Sequence, residues 1–259
     1  MSLVAGGPYY YALRPDSNIG GEVYERMLLE RLPAHGVDLV LGLPRDNCVR
    51  ESPPGWQVDV LRHGRGLHWT RAPLVYTPYV IRLLRGHRVD LLRGHSVRYS
   101  GPSLLLGRAL ARSRVPVVIH HHHLYPRWAR LEAAILRQAD AVITVSEYSR
   151  AQLVAAGAPP ERIRVVHEGV ARPPVTEGWA DAWPAEGLRL LHLGRLEARK
   201  RPAVALDTLA SLRRGGVPAS LVVAGEGPLR PELVERARAA GVSDAIRFVG
   251  RVSEVDKWR

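Results

Sequence analysis

Arg195 and Lys200 have the residue types and the spacing to hold a diphosphate. They follow the apolar run Leu188–Leu193, which ends at Gly194. In open α/β sheets ligands bind at the carboxyl ends of the strands, and a helix that starts near Pro202 would add its positive N-terminal end. The alternative interpretation is that these cations, with two further arginines in the same segment, are solvated charges at a helix start.

The run His120–His123 is the second group that could do chemistry, because imidazole is the commonest nitrogen ligand of metals. Consecutive residues at a strand end point to alternate sides, so four cannot converge on one ion. No cysteine or pair of carboxylates lies nearby in the sequence. The sequence therefore predicts no metal site here.

Paired glycines, Gly20 and Gly21, stand between the first apolar run and the first amphipathic stretch. Glycines in this position let backbone amides approach a phosphate at a helix N-terminus. An ordinary turn, in which the two glycines serve only the backbone geometry, is the alternative.

Short apolar runs alternate with longer amphipathic stretches along the whole chain, which is typical of βα units around a parallel sheet. Most of these runs are nearly all apolar, as expected for strands buried on both faces. The predicted strands are Leu3–Ala5, Val37–Leu41, Val58–Leu61, Val89–Leu92, Val115–Ile119, Ala141–Val145, Ile163–Val166, Leu188–Leu193, Ser220–Ala224 and Ile246–Val249. The apolar faces of three predicted crossover helices are formed by Val23, Met27, Leu28 and Leu32, by Leu131, Ala134, Ile135 and Leu136, and by Leu206, Leu209 and Leu212.

Helix boundaries follow from capping residues. Ser146 is the predicted N-cap of a helix that stops at Gly157, and Gly241 closes a run that begins near Pro231. These signals agree with the apolar pattern.

A segment rich in proline and glycine divides the chain and predicts two domains, 1–172 and 188–259, joined by the linker 173–187. The second domain has three predicted strands, whereas a doubly wound nucleotide-binding sheet has about six. We therefore expect a truncated second domain.

The charge of the chain is +12, from 37 basic and 25 acidic residues, and only two of the basic residues are lysines. Eleven arginines and a single acid fall within residues 62–114, interleaved with leucines. Such a face could hold a protein on anionic lipids, whereas a general arginine bias of the organism is the alternative. The only cysteine is Cys48, and the sequence shows neither a secretion signal nor a spanning run, so we expect a cytoplasmic, peripheral location.

Five segments, in this order and spacing, resemble family 4 glycosyltransferases of the type-B fold. They are Ala139–Ser149, Ile163–Val170, Gly194–Lys200, Val223–Pro228 and Phe248–Val252. The sequence departs from the family at Glu168, where asparagine is usual, and at Arg201, where glycine often follows the lysine. A downstream motif of two glutamates separated by seven residues would come after Arg259.

The resemblance implies two Rossmann-like doubly wound domains and a retaining, metal-independent transfer of a hexosyl-type sugar from a nucleotide diphosphate sugar to a sugar or lipid-linked acceptor. Arg195 and Lys200 would stabilise the leaving diphosphate, and His122 would contact the donor sugar or phosphate. His120 or His121 takes that role if the register slips.

The resemblance also implies further donor-binding positions, with no separate cofactor. These are Gly20, Gly21, Gly194, Gly225, Gly227, Arg251 and Val252. Alternatives are an epimerase or phosphorylase on the same fold, or a truncated remnant or binding protein without catalytic activity. A nucleic-acid-binding protein is a further alternative, but the sequence has no helix-turn-helix spacing, zinc-binding framework or aromatic strand signature. It contains a single phenylalanine, so we expect few aromatic side chains on which bases could stack.

Overall fold

The computed structural model describes residues 3–8, 20–45, 53–61, 70–122, 126–170, 174, 183–253 and 255–258. Cys48, His123 and most of the predicted linker 173–187 lie outside these residues. Contacts within the chain divide it into two compact units, Met1–Gly169 and Val170–Arg259.

The described part of the first unit is built on a parallel sheet. Its strands are β1 (Leu3–Pro8), β2 (Val37–Pro44), β3 (Trp56–Leu61), β4 (Leu91–Gly94), β5 (Val117–His121), β6 (Ala141–Thr144) and β7 (Ile163–Val165). They lie in the order β3-β2-β1-β4-β5-β6-β7. Because the order reverses beside β1, a crevice is expected at the carboxyl ends of β1 and β4.

The helices of the first unit are α1 (Gly20–Arg31), α2 (Ala72–Gly86), α3 (Gly101–Leu110), α4 (Ala129–Leu136) and α5 (Glu147–Ala155). The predicted cap of α5 is confirmed, since the Ser146 hydroxyl accepts a hydrogen bond from the Ser149 amide at 3.1 Å. Gly157, just after α5, has a φ of 96°, which favours glycine.

The predicted buried faces of α1 and α4 are wrong in part. In α1 the fully buried residues are Glu25 and Leu29, whereas the predicted apolar residues of α1 are only half-buried. In α4 Glu132 is buried and Leu131 is exposed. In both helices a glutamate occupies a core position because it has charged partners there, which an apolar period does not detect.

The second unit contains a sheet of three parallel strands in the order β10-β9-β8. These are β8 (Leu188–Leu193), β9 (Ala219–Ala224) and β10 (Ile246–Gly250), with helices α6 (Pro202–Arg214) and α7 (Arg230–Ala239). The predicted apolar face of α6 is confirmed, since Leu206 and Leu209 are buried and Leu212 packs against them.

Strand β8 differs from the expectation of burial on both faces. Leu188, Leu191 and Leu193 are 46–57 % exposed. β9, which lies between β8 and β10, is buried throughout. β8 is one of the two edge strands of the described sheet, and it is more exposed than β10, the other edge strand. In the described part of the chain, no helix is long and apolar enough to cross a membrane.

Candidate functional site

Three loops meet at the carboxyl ends of β8, β9 and β10. The Gly194 amide donates to the Ala224 carbonyl at 3.0 Å, and the Gly225 amide donates to the Gly250 carbonyl at 2.7 Å. The Leu196 amide donates to the carbonyl of Glu226 at 2.9 Å. The backbone of this edge is therefore fixed by its own hydrogen bonds.

Arg195 and Lys200 lie in this edge, as predicted. A short 3₁₀ helix, Ala198–Lys200, connects the end of β8 to α6, which begins at Pro202. The Arg195 guanidinium donates to Glu197 Oε1 at 3.0 Å, yet its side chain is 55 % exposed. Among the described residues no carboxylate forms an ion pair with Lys200. The edge thus presents cationic charge to solvent.

Arg201 is the N-cap residue of α6 and has φ 50° and ψ 47°. This is the left-handed region, which costs a residue with a side chain on the order of 1 kcal/mol. The strain lies directly between Lys200 and the start of α6.

His192 is a residue of this edge that the sequence did not single out. Its buried Nε2 has no hydrogen-bond partner among the described residues. Burial, with the nearby charge of Lys200, lowers the pKa of His192, so the ring is neutral. Its position two residues before Gly194, at the end of an apolar strand, is the signal that could have identified it.

The predicted glycines of this edge have a structural reason to be glycines. A Cβ on Gly225 would lie 1.9 Å from the Gly194 carbonyl oxygen, and a Cβ on Gly227 would lie 2.4 Å from that of Leu196. Both therefore let neighbouring loops of the same sheet approach each other. Arg251 is exposed and Val252 half-buried, directly after β10.

A second group of polar side chains lies inside the first unit. α1 carries Tyr24 and Glu25, β4 carries Arg93 and ends just before His95, and β5 and the residue after it supply His120 and His122. We call these six residues the histidine cluster. Four of its side chains are buried: Glu25, Arg93, His95 and His120 are 0–5 % exposed.

Glu25 is the centre of the charges in the histidine cluster. Both of its oxygens accept from the Arg93 guanidinium, one of them at 2.9 Å from Nη2. His95 Nδ1 lies 2.6 Å from Glu25 Oε2. Burial raises the pKa of Glu25, but Arg93 and His95 outweigh burial and hold it well below its usual range. Glu25 is therefore ionised in the interior.

The rings of His120 and His122 stack, with centroids 4.3 Å apart. Arg93 Nη2 donates to His120 Nδ1 at 3.0 Å, and His122 Nδ1 lies 2.8 Å from Oε1 of Glu168, which follows β7. Burial and the charge of Arg93 lower the pKa of His120 to about 2, and burial with His95 lowers that of His122 to about 3. Both imidazoles are neutral at pH 7.

The predicted alternation of the histidine run is confirmed. His120 and His122 face the cluster, whereas His121 lies on the other side, 3.8 Å from the buried carboxylate of Glu132. The sequence missed Glu25, Arg93 and His95, because they come from other elements. Polar residues at the end of β4, the strand next to β5, are the signal that could have identified Arg93 and His95.

Gly20 and Gly21 are the first two residues of α1. A Cβ at either position would meet nothing within 4 Å among the described atoms. Unlike Gly225 and Gly227, these glycines are not required by packing against any described residue.

Comparison of the sequence with models of protein families identifies the family of the chain. Residues 19–172 match Glycosyltransferase Family 4, and residues 179–259 match Glycosyl transferases group 1. Because the first match covers more than half of the chain, the chain belongs to Glycosyltransferase Family 4.

Two curated relatives from Mycobacterium tuberculosis are similar to parts of the chain. "Glycogen synthase" is 33 % identical over 129 residues, which are 49 % of this chain and 30 % of that protein. "GDP-mannose-dependent alpha-(1-6)-phosphatidylinositol dimannoside mannosyltransferase" is 40 % identical over 80 residues, 31 % of this chain and 19 % of that protein. The chain thus spans less than a third of the length of these relatives.

Solved structures show the same fold over nearly the whole chain. The lipopolysaccharide outer core galactosyltransferase WaaB has a TM-score of 0.69 at 15 % identity, covering 98 % of this chain and 69 % of that one. Anabaena HepE, solved in complex with UDP and glucose, has a TM-score of 0.66 at 16 % identity, covering 98 % and 71 %. The predicted α/β class with the type-B fold is confirmed.

Proposed function

We propose that this protein transfers a hexosyl-type sugar from a nucleotide diphosphate sugar to an acceptor, with retention and without a metal. The observation that carries the proposal is the pair Arg195 and Lys200 at the carboxyl end of β8, in a chain of this family. Exposed cations at a strand end beside a helix start suit a diphosphate.

The proposed chemistry is stabilisation of the leaving group. As the glycosidic bond breaks, negative charge grows on the β-phosphate, and preorganised cations lower the barrier most where charge develops. Arg195 and Lys200 supply that charge, and the hydrogen-bonded loops around Gly194 keep their backbone in place. Glu197, which accepts from Arg195, orients the guanidinium in the free protein.

The histidine cluster supplies the proposed contact of the first unit with the donor. His122 would donate or accept a hydrogen bond with the donor sugar or phosphate, because its ring is neutral and its side chain is 22 % exposed. Gly20 and Gly21 would let backbone amides reach the same ligand. Gly225, Gly227, Arg251 and Val252 are proposed to line the nucleotide.

The substrate classes follow from the relatives' names. One relative is GDP-mannose-dependent and one structural neighbour holds UDP, so either nucleotide fits the proposal. The proposed acceptor is a sugar or a lipid-linked glycan of cell-envelope or exopolysaccharide synthesis. The proposed location is cytoplasmic.

The test is a transfer assay on the chain with UDP-sugars and GDP-sugars, glycan acceptors, and EDTA throughout. We expect release of nucleoside diphosphate together with a product of the donor's anomeric configuration, measured by NMR. Lys200→Ala should abolish most of the release, and the exposed control Arg199→Ala should not. Release of an epimerised sugar, or phosphate-dependent cleavage, would instead favour the epimerase or phosphorylase alternative.

We also propose a peripheral contact with anionic membranes through the surface of α2 and α3, within residues 62–114. Leu74 is 77 % exposed and Leu110 57 %, and a shallow apolar groove of about 480 Å³ on α2 is lined by Pro78, Ile81, Arg82, Arg85 and Gly86. Apolar side chains beside arginines suit a lipid headgroup surface, with about 1 kcal/mol from each cation.

Part of the positive charge of residues 62–114 is unavailable to lipids. Arg93 is buried against Glu25, and Arg98 lies 3.0 Å from Glu132 with its side chain 15 % exposed. The membrane proposal therefore relies on exposed arginines, of which Arg82 and Arg85 line the apolar groove. Sedimentation with anionic vesicles at low salt should exceed that with neutral vesicles, and R82S/R85S should remove the difference while the distant control Arg150→Ser keeps it. Equal sedimentation of the wild-type protein with both vesicles would contradict it.

A further inference from the structure

His95, His120 and His122 bring one ring nitrogen each within 4.8 Å of one another. They come from the ends of the neighbouring strands β4 and β5, which hydrogen-bond in parallel. The ring centroids of His95 and His122 are 4.5 Å apart, and those of His120 and His122 are 4.3 Å apart. Three convergent imidazoles are a ligand set typical of transition-metal sites.

Two carboxylates contact Nδ1 of two of these histidines. Glu25 lies against Nδ1 of His95, and Glu168 lies against Nδ1 of His122. The Glu168 carboxylate on Nδ1 of His122 keeps the ring proton there and leaves the lone pair on Nε2, the arrangement in which outer carboxylates support metal-ligating histidines. Buried Nε2 of His122 has no hydrogen-bond partner among the described residues.

His120 completes the set only after a change of tautomer. A guanidinium only donates, so Nδ1 of His120 accepts from Arg93 and the ring proton lies on Nε2. To bind a metal ion through Nε2, His120 must carry its ring proton on Nδ1 instead, and the hydrogen bond from Arg93 to Nδ1 is then lost. The two hydrogen bonds from Arg93 to Glu25 do not involve His120.

The charges around the three rings favour a cation. Among the described residues, two carboxylates, Glu25 and Glu168, and one guanidinium, Arg93, lie against the three rings. A tetrahedral zinc ion needs nitrogens about 3.3 Å apart at its usual bond length, so the ring nitrogens, which lie within 4.8 Å of one another, must approach by up to about 1.5 Å. His122 follows the end of β5 and is partly exposed, and this position permits the movement.

We propose that His95, His120 and His122 form a binding site for a borderline transition-metal ion such as Zn²⁺, Ni²⁺ or Cu²⁺. Nitrogen ligands select these ions over Mg²⁺ and Ca²⁺, which prefer oxygen. Glu25 and Glu168 are the carboxylates that position two of the ligands. Because His122 is also the residue proposed to contact the donor, an ion bound here would compete with that contact.

The test is a calorimetric titration of Zn²⁺ into the metal-free chain, prepared without a polyhistidine tag and in the presence of Mg²⁺. We expect one equivalent to bind. His122→Gln should weaken binding about 100-fold or more, and Glu168→Ala should weaken it about 10-fold, as loss of an outer-shell partner does. His35→Gln is the matched control, since His35 is an exposed histidine outside the cluster, and it should bind as the wild type does.

Cobalt provides a second readout, because four-coordinate Co²⁺ absorbs strongly in the visible range. We expect these bands in the wild type and not in His122→Gln. Absence of one-equivalent Zn²⁺ binding, or binding that all three variants leave unchanged, would overturn the proposal. Weak binding of several ions that each histidine variant, including His35→Gln, reduces equally would overturn it as well. If His122→Gln fails to fold, judged by circular dichroism, the exposed Glu168→Ala variant decides. The binding readout does not depend on transferase activity.

Discussion

The charged groups of the two units contrast in burial and in pairing. In the histidine cluster, Glu25 and Arg93 are nearly inaccessible and satisfy each other through two hydrogen bonds. At the end of β8, Arg195 is more than half exposed, and Lys200 has no ion pair among the described residues. Buried charges must be paired within the protein, whereas exposed cations are free to pair with a ligand. The contrast predicts that substitutions in the cluster affect stability and substitutions at β8 affect binding.

The largest expected effect is on stability, in the first unit. Glu25→Gln keeps the shape of the side chain but leaves Arg93 and its charge buried without a carboxylate. Breaking a buried pair in this way costs about 3–5 kcal/mol of unfolding free energy. Urea unfolding measures it, with Glu235→Gln as control, because Glu235 is an exposed partner of Arg238. If Glu25→Gln unfolds at the same urea concentration as the wild type, the prediction that substitutions in the histidine cluster affect stability is wrong.

The next effect is on catalysis, in the second unit. Lys200→Ala should lower the rate constant of transfer by about 10²–10³-fold, as loss of one charge-stabilising donor does, and should leave the thermal midpoint unchanged. Steady-state kinetics and differential scanning fluorimetry measure the two quantities. Loss of stability without loss of rate would reverse the assignment of the two regions.

A third prediction concerns acid. The unfolded pKa of histidine is about 6.5, whereas the pKa of His120 is about 2 and that of His122 about 3 in the folded unit. At a pH between the folded and the unfolded pKa, each of these histidines is protonated in the unfolded chain and neutral in the folded one. The free energy of unfolding is therefore highest above pH 6.5 and decreases as the pH falls below it. The loss at pH 5 is on the order of 2 kcal/mol for each histidine. The Glu25 carboxylate, with its lowered pKa, adds a further loss below pH 4.5.

Urea unfolding at pH 7 and pH 5 measures this loss. His122→Gln should flatten the profile by removing one of the two groups. A wild-type profile that is flat over this interval would show that the cluster does not hold its histidines neutral.

The smallest expected effect is at Arg201, whose φ of 50° is unfavourable for a side chain. Arg201→Gly should raise the unfolding free energy of the second unit by up to about 1 kcal/mol. Arg199→Gly, at an ordinary position of the 3₁₀ helix, should not raise it. Thermal unfolding of both variants separates relief of strain from a general effect of removing positive charge.

The strands and the β8 site were predictable because they depend on local signals. The apolar run before Gly194 identified β8, and the cations after it identified the candidate site. The histidine cluster was not predictable in the same way, because Glu25, Arg93 and His120 meet only through the strand order of the sheet. A buried glutamate also breaks the apolar period from which the core of α1 was predicted.

The most direct test of the central claim compares nucleoside diphosphate with nucleoside monophosphate binding. Calorimetric titrations of UDP, UMP, GDP and GMP are made into the wild type and into R195A/K200A. The account predicts that one diphosphate binds the wild type more than about 10-fold tighter than its monophosphate, each factor of ten being about 1.4 kcal/mol. It also predicts that this preference disappears in the double variant while the thermal midpoint stays the same. An equal preference in both proteins would show that the end of β8 does not bind the diphosphate.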